Sequence, residues 1–150
     1  MLDPNAAFSI AGLAAMLGWA GLIASLFVAP VRPIAWRAAT FIIPGLIAAA
    51  YILLLAQAMR QGAEGGFGSI AEVRSLFAND SALAAGWIHY LAFDLFVGSW
   101  IVRDGVERHV PALLILPALP LTLLAGPAGL LLYFAIRLAF TRRARMEASA

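Results

Sequence analysis

The sequence predicts an all-α polytopic membrane protein, in which a single domain over residues 1–150 forms a bundle of four transmembrane helices. The first observation is composition: 63% of the 150 residues are hydrophobic and only 12% are charged, whereas about one quarter of a soluble domain is charged. The second is distribution, because the apolar residues fall into four runs long enough to cross the roughly 30 Å hydrocarbon core of a bilayer. The chain therefore has too few polar residues to cover a soluble globule.

Charge and cysteine content exclude several function classes. All ten basic residues are arginine, the formal net charge is +2, and the arginines are scattered between the spans, so the chain lacks the basic patch of a nucleic-acid-binding protein. Cysteine is absent, which excludes disulfides, thiol catalysis and cysteine metal sites. The N-terminal Met-Leu-Asp-Pro-Asn carries no positive segment, so the first apolar run is predicted to be a retained span rather than a cleaved signal peptide.

The first half of the chain predicts two spans. The first covers residues 6–30, where alanine, glycine and serine recur at i, i+4 spacing and predict close helix packing in lipid. The segment "PVRPIAWR" (30–37) predicts a short polar turn, and the second span follows over residues 38–59. Pro44, which a glycine follows, predicts a kink in the first half of this span.

The segment between the second and third spans is polar. "QGAEGGFGS" (61–69) is rich in glycine, as flexible linkers are. In the "SIAEVRSLFAND" that overlaps its end, apolar residues recur at helical spacing. A short amphipathic helix at the membrane interface is therefore predicted over residues 69–79.

The second half predicts two more spans. The third covers residues 81–102, and Asn79, Asp80 and Ser81 are each suitable as its N-cap. The fourth covers residues 110–137 and contains four prolines. It is either one tilted, kinked helix or a broken helix, and a break is tolerated in a membrane only where the freed backbone groups face protein or water.

Four spans place both termini on the same side of the membrane. With the termini inside, six arginines lie on the inner side and four on the outer side, which predicts cytoplasmic termini by the positive-inside rule. The inner six are Arg60, Arg74, Arg137, Arg142, Arg143 and Arg145; the outer four are Arg32, Arg37, Arg103 and Arg108. The arginines of the C-terminal tail are expected to bind lipid head groups.

Two ionisable residues, His89 and Asp94, interrupt the third span in the stretch "WIHYLAFDLFVGSW" (87–100). An aspartate near the middle of a span costs about 2.5 to 3.5 kcal/mol on insertion scales, so Asp94 is predicted to face the bundle interior. There it is either protonated at neutral pH or lines a wet cavity. The alternative for both residues is structural: each bonds a hydroxyl or a backbone group and fixes the helix register. Polar residues of other spans that are possible neighbours of Asp94 are Gln57, Tyr51, Thr40 and Thr122.

Helical spacing divides the third span into two faces. The residues on the Asp94 face are Trp87, Tyr90, Gly98 and Ile101; those on the His89 face are Phe93, Phe96 and Trp100. The rings on the His89 face predict a flat, polarisable wall. Because His89 lies about 140° round the helix from Asp94, the two residues are predicted either to flank one cavity or to face different neighbours.

Metal-dependent chemistry is not predicted. The chain has two histidines and one deep carboxylate in different environments, which is not a recognisable ligand set. It also lacks a phosphate-binding glycine loop and a serine elbow. The sequence therefore predicts neither a metal nor a cofactor.

The third span and the proline-rich run after it resemble a known family. "GWIHYLAFDLFVGSWIVRDG" (86–105), followed by "PALLILPALPLTLLAGPAGLLLYFAIR" (111–137), is similar to the abscisic-acid-deficient-four-like family of small four-span membrane proteins of bacteria, algae and plant plastids. In plants, members are required to make neoxanthin from violaxanthin, a carotenoid epoxide rearrangement. The family positions that the resemblance carries over are Trp87, His89, Asp94, Gly98 and Asp104.

The resemblance implies that the protein acts on or binds a carotenoid or another isoprenoid lipid. An epoxide rearrangement is redox-neutral and needs one proton donor and one acceptor, roles that suit Asp94 and His89 as catalytic residues of a carotenoid isomerase. The expected substrate-binding residues, in a slot between helices, are Trp87, Tyr90, Phe93, Phe96 and Trp100, and Gly98 is expected to pack helices. Because the chain begins directly at a span, a bacterial inner membrane is predicted rather than a plastid.

Two other functions stay open. The protein could be a non-catalytic carotenoid- or lipid-binding partner that assembles with other membrane enzymes. It could also be a small proton-linked transporter with Asp94 as the carrier group, which would require a homo-oligomer because four spans contain no detectable inverted repeat.

Overall fold

The computed structural model describes residues 1–148, with side chains as far as Thr141, and confirms the predicted fold class. Every regular element in this range is a helix, and four helical segments are long and apolar enough to cross a membrane. The protein is therefore an integral membrane protein built as a four-span helical bundle. The tail residues Arg142, Arg143 and Arg145, predicted to bind lipid head groups, have side chains that lie outside the described ones.

The first span is the helix α1, Pro4–Phe27. Asp3 caps it, because its carboxylate accepts a hydrogen bond from the backbone N–H of Asn5 at 3.1 Å. Pro4 lies in the first turn, where a backbone N–H would have no acceptor within the helix, so the lack of an N–H in proline costs no hydrogen bond. The helix thus begins two residues before the predicted span.

The second span begins at Ala29 rather than near residue 38. A 3₁₀ turn, Ala29–Val31, leads into α2, Arg32–Arg37, and so the segment predicted as a polar turn is helical. The reason is the position of Pro33, which lies in the first turn of α2 and therefore breaks no helical hydrogen bond.

The kink predicted at Pro44 takes the form of a π turn, Ala38–Ile42, between α2 and the helix α3, Ile43–Arg60. In the π turn the N–H of Ile43 bonds to the carbonyl of Ala38, five residues back. A proline disrupts the regular i−4 pattern because it has no N–H and clashes with the i−4 carbonyl. Thr40, inside the turn, is buried and lies 2.6 Å from the hydroxyl of Ser99 in the third span.

The connector to the third span contains the helix α4, Ile70–Leu76, which Ser69 caps through the N–H of Glu72. The third span is α5, Asp80–Glu107. Its N-cap is Asn79, one of the three residues predicted for that position, whose side-chain oxygen accepts from two backbone N–H groups.

The fourth span, Ala112–Thr141, is interrupted twice. A short helix, α6 (Ala112–Ile115), meets a bend at residues 116–117 and continues as α7, Ala118–Ala148. Inside α7 the backbone leaves the helical region at Ala125, with φ −152° and ψ 59°. Both alternatives left open by the sequence are therefore represented: the span is bent near one end and broken at its middle.

The third span is the central helix of the bundle. In its most apolar stretch 56% of the residues are buried, whereas the corresponding share in the other three spans is 17% to 39%. It packs against the first, second and fourth spans. Because three neighbours do not enclose a helix completely, one face of α5 remains open on the outside, between the second and fourth spans.

Candidate functional site

Asp94 lies inside the bundle, at the midpoint of α5. Its side chain is buried, with 8% of the residue exposed, and its Oδ2 atom has no hydrogen-bond partner. The neighbour across the interface is Gly126 of the fourth span: a Cβ added to Gly126 would overlap the Asp94 carboxyl. The carboxyl is therefore pressed against backbone rather than paired with a charged side chain.

The four polar residues considered as partners of Asp94 bond elsewhere or lie on another face. Gln57 bonds to the backbone of Leu2 and to Ser81. Thr40 bonds to Ser99, and Thr122 donates to the carbonyl of Ala118, one turn back in its own helix. Tyr51 lies beside His89. The residue that does lie beside Asp94 is Tyr90, one turn earlier on the same helix.

Tyr90 connects this site to the break in the fourth span. Its hydroxyl donates a 2.6 Å hydrogen bond to the carbonyl of Leu123. In a regular helix that carbonyl would accept from residue 127, which is a proline and has no N–H. Tyr90 therefore supplies the donor that Pro127 removes, and the freed backbone group faces protein, as a break inside a membrane requires.

Glycines make the break sterically possible. Besides Gly126 against Asp94, a Cβ added to Gly129 would overlap the backbone of Thr122, because the chain folds back on itself at the break. Sequence reasoning missed this partnership. A usable signal was depth: Gly126 and Pro127 stand at the midpoint of the fourth span, as Asp94 does in the third.

His89 and its aromatic neighbours form a separate surface, which we name the outer aromatic face: His89, Phe93, Phe96 and Trp100. The three aromatic residues are exposed by 60%, 48% and 37%, respectively, and the His89 ring stacks on Phe93 at 4.6 Å. They share a side of α5, but that side is the open one between the second and fourth spans. The residues therefore line the outside of the bundle and not a slot between its helices.

A hollow lies at each end of the outer aromatic face. The first, of about 180 Å³, has His89 and Tyr51 in its lining together with Phe67 and Phe77 from the connector, and we name it the His89 hollow. The second, of about 190 Å³, we name the Trp100 hollow. Its lining residues are Thr40, Phe96, Ser99, Trp100, Arg103, Asp104 and Glu107.

The structure divides the residues expected to bind substrate into two groups. Phe93, Phe96 and Trp100 belong to the outer aromatic face. Trp87 and Tyr90 lie on the Asp94 side, with their rings 5.6 Å apart and Trp87 stacked on Phe8 of the first span. The proposed acid, Asp94, and the proposed base, His89, consequently face different neighbours and do not meet in one cavity.

Gly98 lies one turn after Asp94, where the third span crosses the first. A Cβ added there would overlap the ring of Trp19, so the indole occupies the space that the glycine leaves. The Nε1 atom of Trp19 is buried and has no hydrogen-bond partner. The indole nitrogen and the Asp94 oxygen are thus both buried without hydrogen-bond partners. Trp19 packs on α5 one turn after Asp94.

Asp104 joins the end of the third span to the fourth. Its carboxylate accepts from the Tyr133 hydroxyl at 2.7 Å and forms salt bridges with Arg137 at 3.2 Å and Arg108 at 3.0 Å. Arg137 also lies over the ring of Trp100, 5.9 Å from its centroid. These contacts hold the second half of α7 against α5 beyond the break.

Among the described side chains, no group of three His, Asp or Glu residues lies close enough together to bind a metal ion. The fold and the two faces of α5 define a class: a small integral membrane protein with a buried central carboxyl and an aromatic, lipid-facing surface. The sequence model of the family described as ABA DEFICIENT 4-like matches residues 6–133, and the chain belongs to this family. No curated protein and no solved structure matches the chain.

Proposed function

We propose that this membrane protein binds a rod-shaped isoprenoid lipid of the carotenoid class along its outer aromatic face. The observation that carries the proposal is a set of exposed rings on one side of the central helix, between the second and fourth spans: His89 stacked on Phe93, then Phe96 and Trp100. Exposed aromatic side chains can stack on a flat, conjugated chain. The resemblance of the third span to proteins of carotenoid metabolism supports the same ligand class.

The dimensions of the face fit a ligand that spans the membrane. From His89 to Glu107 the helix rises about 27 Å, at about 1.5 Å per residue. A carotenoid is about as long as the hydrocarbon core is thick, roughly 30 Å. A ligand lying along the third span would therefore reach from one hollow to the other.

The two hollows offer polar groups for the ends of such a ligand. In the Trp100 hollow these are the Thr40 and Ser99 hydroxyls, which share one hydrogen bond of 2.6 Å, and the charged Arg103 and Glu107. Sites for apolar ligands place a few polar groups at fixed positions in this way to select a partner. A carotenoid with hydroxyl or epoxide oxygens on its end rings would use them.

Pigment retention tests the binding proposal. The chain is expressed in a bacterial host that makes epoxidised carotenoids, purified, and its bound pigment is measured per protein by absorption. We expect wild-type protein to retain pigment, and Phe96→Leu with Trp100→Leu to lose most of it. Phe41→Leu is the matched control, because Phe41 is exposed by 67% but lies on the second span. Equal pigment in the double variant and the control would refute the outer aromatic face as the binding site.

A second candidate is catalysis of a redox-neutral isomerisation, favoured by the unpaired Oδ2 of Asp94. A buried carboxyl with one oxygen unpaired can exchange a proton with a substrate that reaches it. Since His89 lies on the other face, the group positioned to assist Asp94 is Tyr90, beside it. Comparing the carotenoids of cells with and without the protein tests this candidate: new isomers that vanish with Asp94→Asn support it. Retained but unaltered pigment supports the non-catalytic partner instead.

We further propose that the protein lies in a bacterial inner membrane with both termini in the cytoplasm, as the arginine distribution favours. The chain contains no cysteine, so single cysteines can be introduced and labelled without a background. A cysteine at Glu64, in the connector before the third span, should be labelled only from the cytoplasmic side. One at Arg108, in the turn between the third and fourth spans, should be labelled only from outside, and the opposite pattern would reverse the orientation.

A further inference from the structure

A cavity of about 450 Å³ lies at the end of the bundle where the first span ends and the fourth begins. Its floor is apolar and includes Leu26, Val110 and Ile115, while Arg32 and His109 supply the polar part of the lining. Ligand sites in proteins have volumes of roughly 300 to 1,000 Å³. The cavity shares no lining residue with the Trp100 hollow or the His89 hollow. It is therefore separate from both hollows.

Arg32 is held in place by a backbone hydrogen bond and forms no salt bridge with any described side chain. Its Nε donates to the carbonyl of Ser25 at 3.0 Å, and the Ser25 hydroxyl in turn accepts from the indole of Trp36 at 3.2 Å. Among the described side chains, both salt bridges are made by Asp104, and neither involves Arg32. One edge of the guanidinium is thus fixed, and among the side chains that the structure describes its charge has no acidic partner.

His109 occupies a backbone position that favours glycine. Its φ is +58°, in the left-handed region. It ends α5 in a Schellman motif, with its own N–H bonded to the carbonyl of Val106 at 3.1 Å and the N–H of Val110 bonded to that of Gly105 at 2.9 Å. Glycine adopts this conformation without steric cost and is the usual residue there. A histidine at this position places an imidazole in the lining of the cavity, beside Arg32, where glycine would place nothing.

We propose that this cavity binds an anionic phospholipid, with the phosphate held by Arg32 and His109 and an acyl chain on the apolar floor. A guanidinium and an imidazole N–H are both donors, and guanidinium groups match phosphate oxygens in a planar, two-point geometry. The cavity lining thus combines polar groups suited to a head group with apolar residues suited to an acyl chain. The cavity lies at one end of the four-span bundle, where we expect the head groups of the surrounding lipids.

Native mass spectrometry of the detergent-solubilised full chain tests this proposal. Phosphatidylglycerol and phosphatidylcholine are titrated separately, and the apparent affinity for the first bound lipid is compared. We expect wild-type protein to prefer phosphatidylglycerol and Arg32→Gln to lose at least about tenfold in affinity for it, as removal of a charge-assisted hydrogen bond does. Arg37→Gln is the matched control, since Arg37 lies at the same end of the bundle, is exposed and does not line the cavity.

His109→Gly separates the lipid site from folding. Glycine suits the left-handed position, so this variant should be at least as stable as wild type and yet bind phosphatidylglycerol more weakly. Unchanged affinity in both Arg32→Gln and His109→Gly would overturn the proposal, as would equal wild-type affinity for the two lipids. If inorganic phosphate in excess displaces phosphatidylglycerol completely, the site binds free phosphate, and the lipid assignment is wrong.

Discussion

The hydroxyl of Tyr90 donates a 2.6 Å hydrogen bond to the carbonyl of Leu123, the acceptor that Pro127 leaves without an intrahelical donor. One side chain of the central span thus compensates for a break in its neighbour. The same break brings Gly126 against Asp94, whose Oδ2 has no partner. The buried carboxyl and the interrupted fourth span therefore form one structural unit.

Replacing Tyr90 with phenylalanine should destabilise the protein by about 1 kcal/mol, because the Leu123 carbonyl would lose its donor inside the membrane. Unfolding in mixed detergent measures the change. Tyr51→Phe, on the outer side, should leave stability unchanged. Adding Pro127→Ala to Tyr90→Phe restores a backbone N–H and should recover part of the loss. Equal loss in the single and double variants would show that the break does not depend on this bond.

Replacing Gly126 with alanine should destabilise by about 1 to 3 kcal/mol, because the new methyl group overlaps the Asp94 carboxyl. Combining it with Asp94→Ala removes the obstacle and should restore most of the stability. Gly12→Ala is the control, since a Cβ at Gly12 meets no atom within 4 Å. Thermal unfolding of wild type, the two single variants, the double variant and the control provides the comparison, and a purely additive double variant would contradict the proposed contact.

Replacing Asp94 with leucine should stabilise the fold and abolish activity, if the carboxyl acts in catalysis. The stability gain, about 1 to 3 kcal/mol, follows from removing a buried acceptor that has no partner. Asp94→Asn keeps the shape but cannot exchange a proton, and it should be equally inactive. Unfolding and carotenoid profiles are measured on the same preparations. A leucine variant with wild-type activity would end the catalytic hypothesis, and a strongly destabilised one would assign Asp94 a structural role.

Asp104→Asn should destabilise the protein more than Arg108→Gln does. The Asp104 carboxylate accepts from Tyr133, which is fully buried, and pairs with Arg137 and Arg108, which are partly exposed. Loss of a charged acceptor costs about 1.5 to 3 kcal/mol. Arg108 makes an i, i+4 pair from an exposed side chain, which contributes roughly 0.5 kcal/mol. Unfolding at low and high salt measures both effects. Equal losses would show that the interior part of this cluster contributes no more than its surface part.

Local sequence patterns predicted which residues of the third span share a face. The helical period placed Trp87, Tyr90 and Asp94 on one face of the third span and His89 with the aromatic residues on the other, and the structure has this division. What they did not predict was that Tyr90 and Gly126 are the neighbours of Asp94. Gly126 has no side chain, so the sequence contains no complementary group that would identify it as the neighbour of Asp94.

The second span shows a different limit. Prolines and arginines in residues 30–37 are typical of a turn, yet Ala29–Arg60 is helical throughout. Proline ends a helix in its interior but is favourable in its first turn, and composition alone does not tell these two positions apart. Packing of Trp36 onto Ser25 of the first span favours the helical alternative.

The sequence by itself determined that this chain enters the membrane, that it does so four times as helices, and which residues share each face of the third span. Only the tertiary structure decided which of those faces is covered: Asp94 lies against the broken fourth span, whereas His89 and its aromatic neighbours lie outside. The reason is the solvent. In water an apolar face points inward, but in lipid the buried and the exposed faces of a helix are both apolar, so helical periodicity groups residues without saying which group meets another helix.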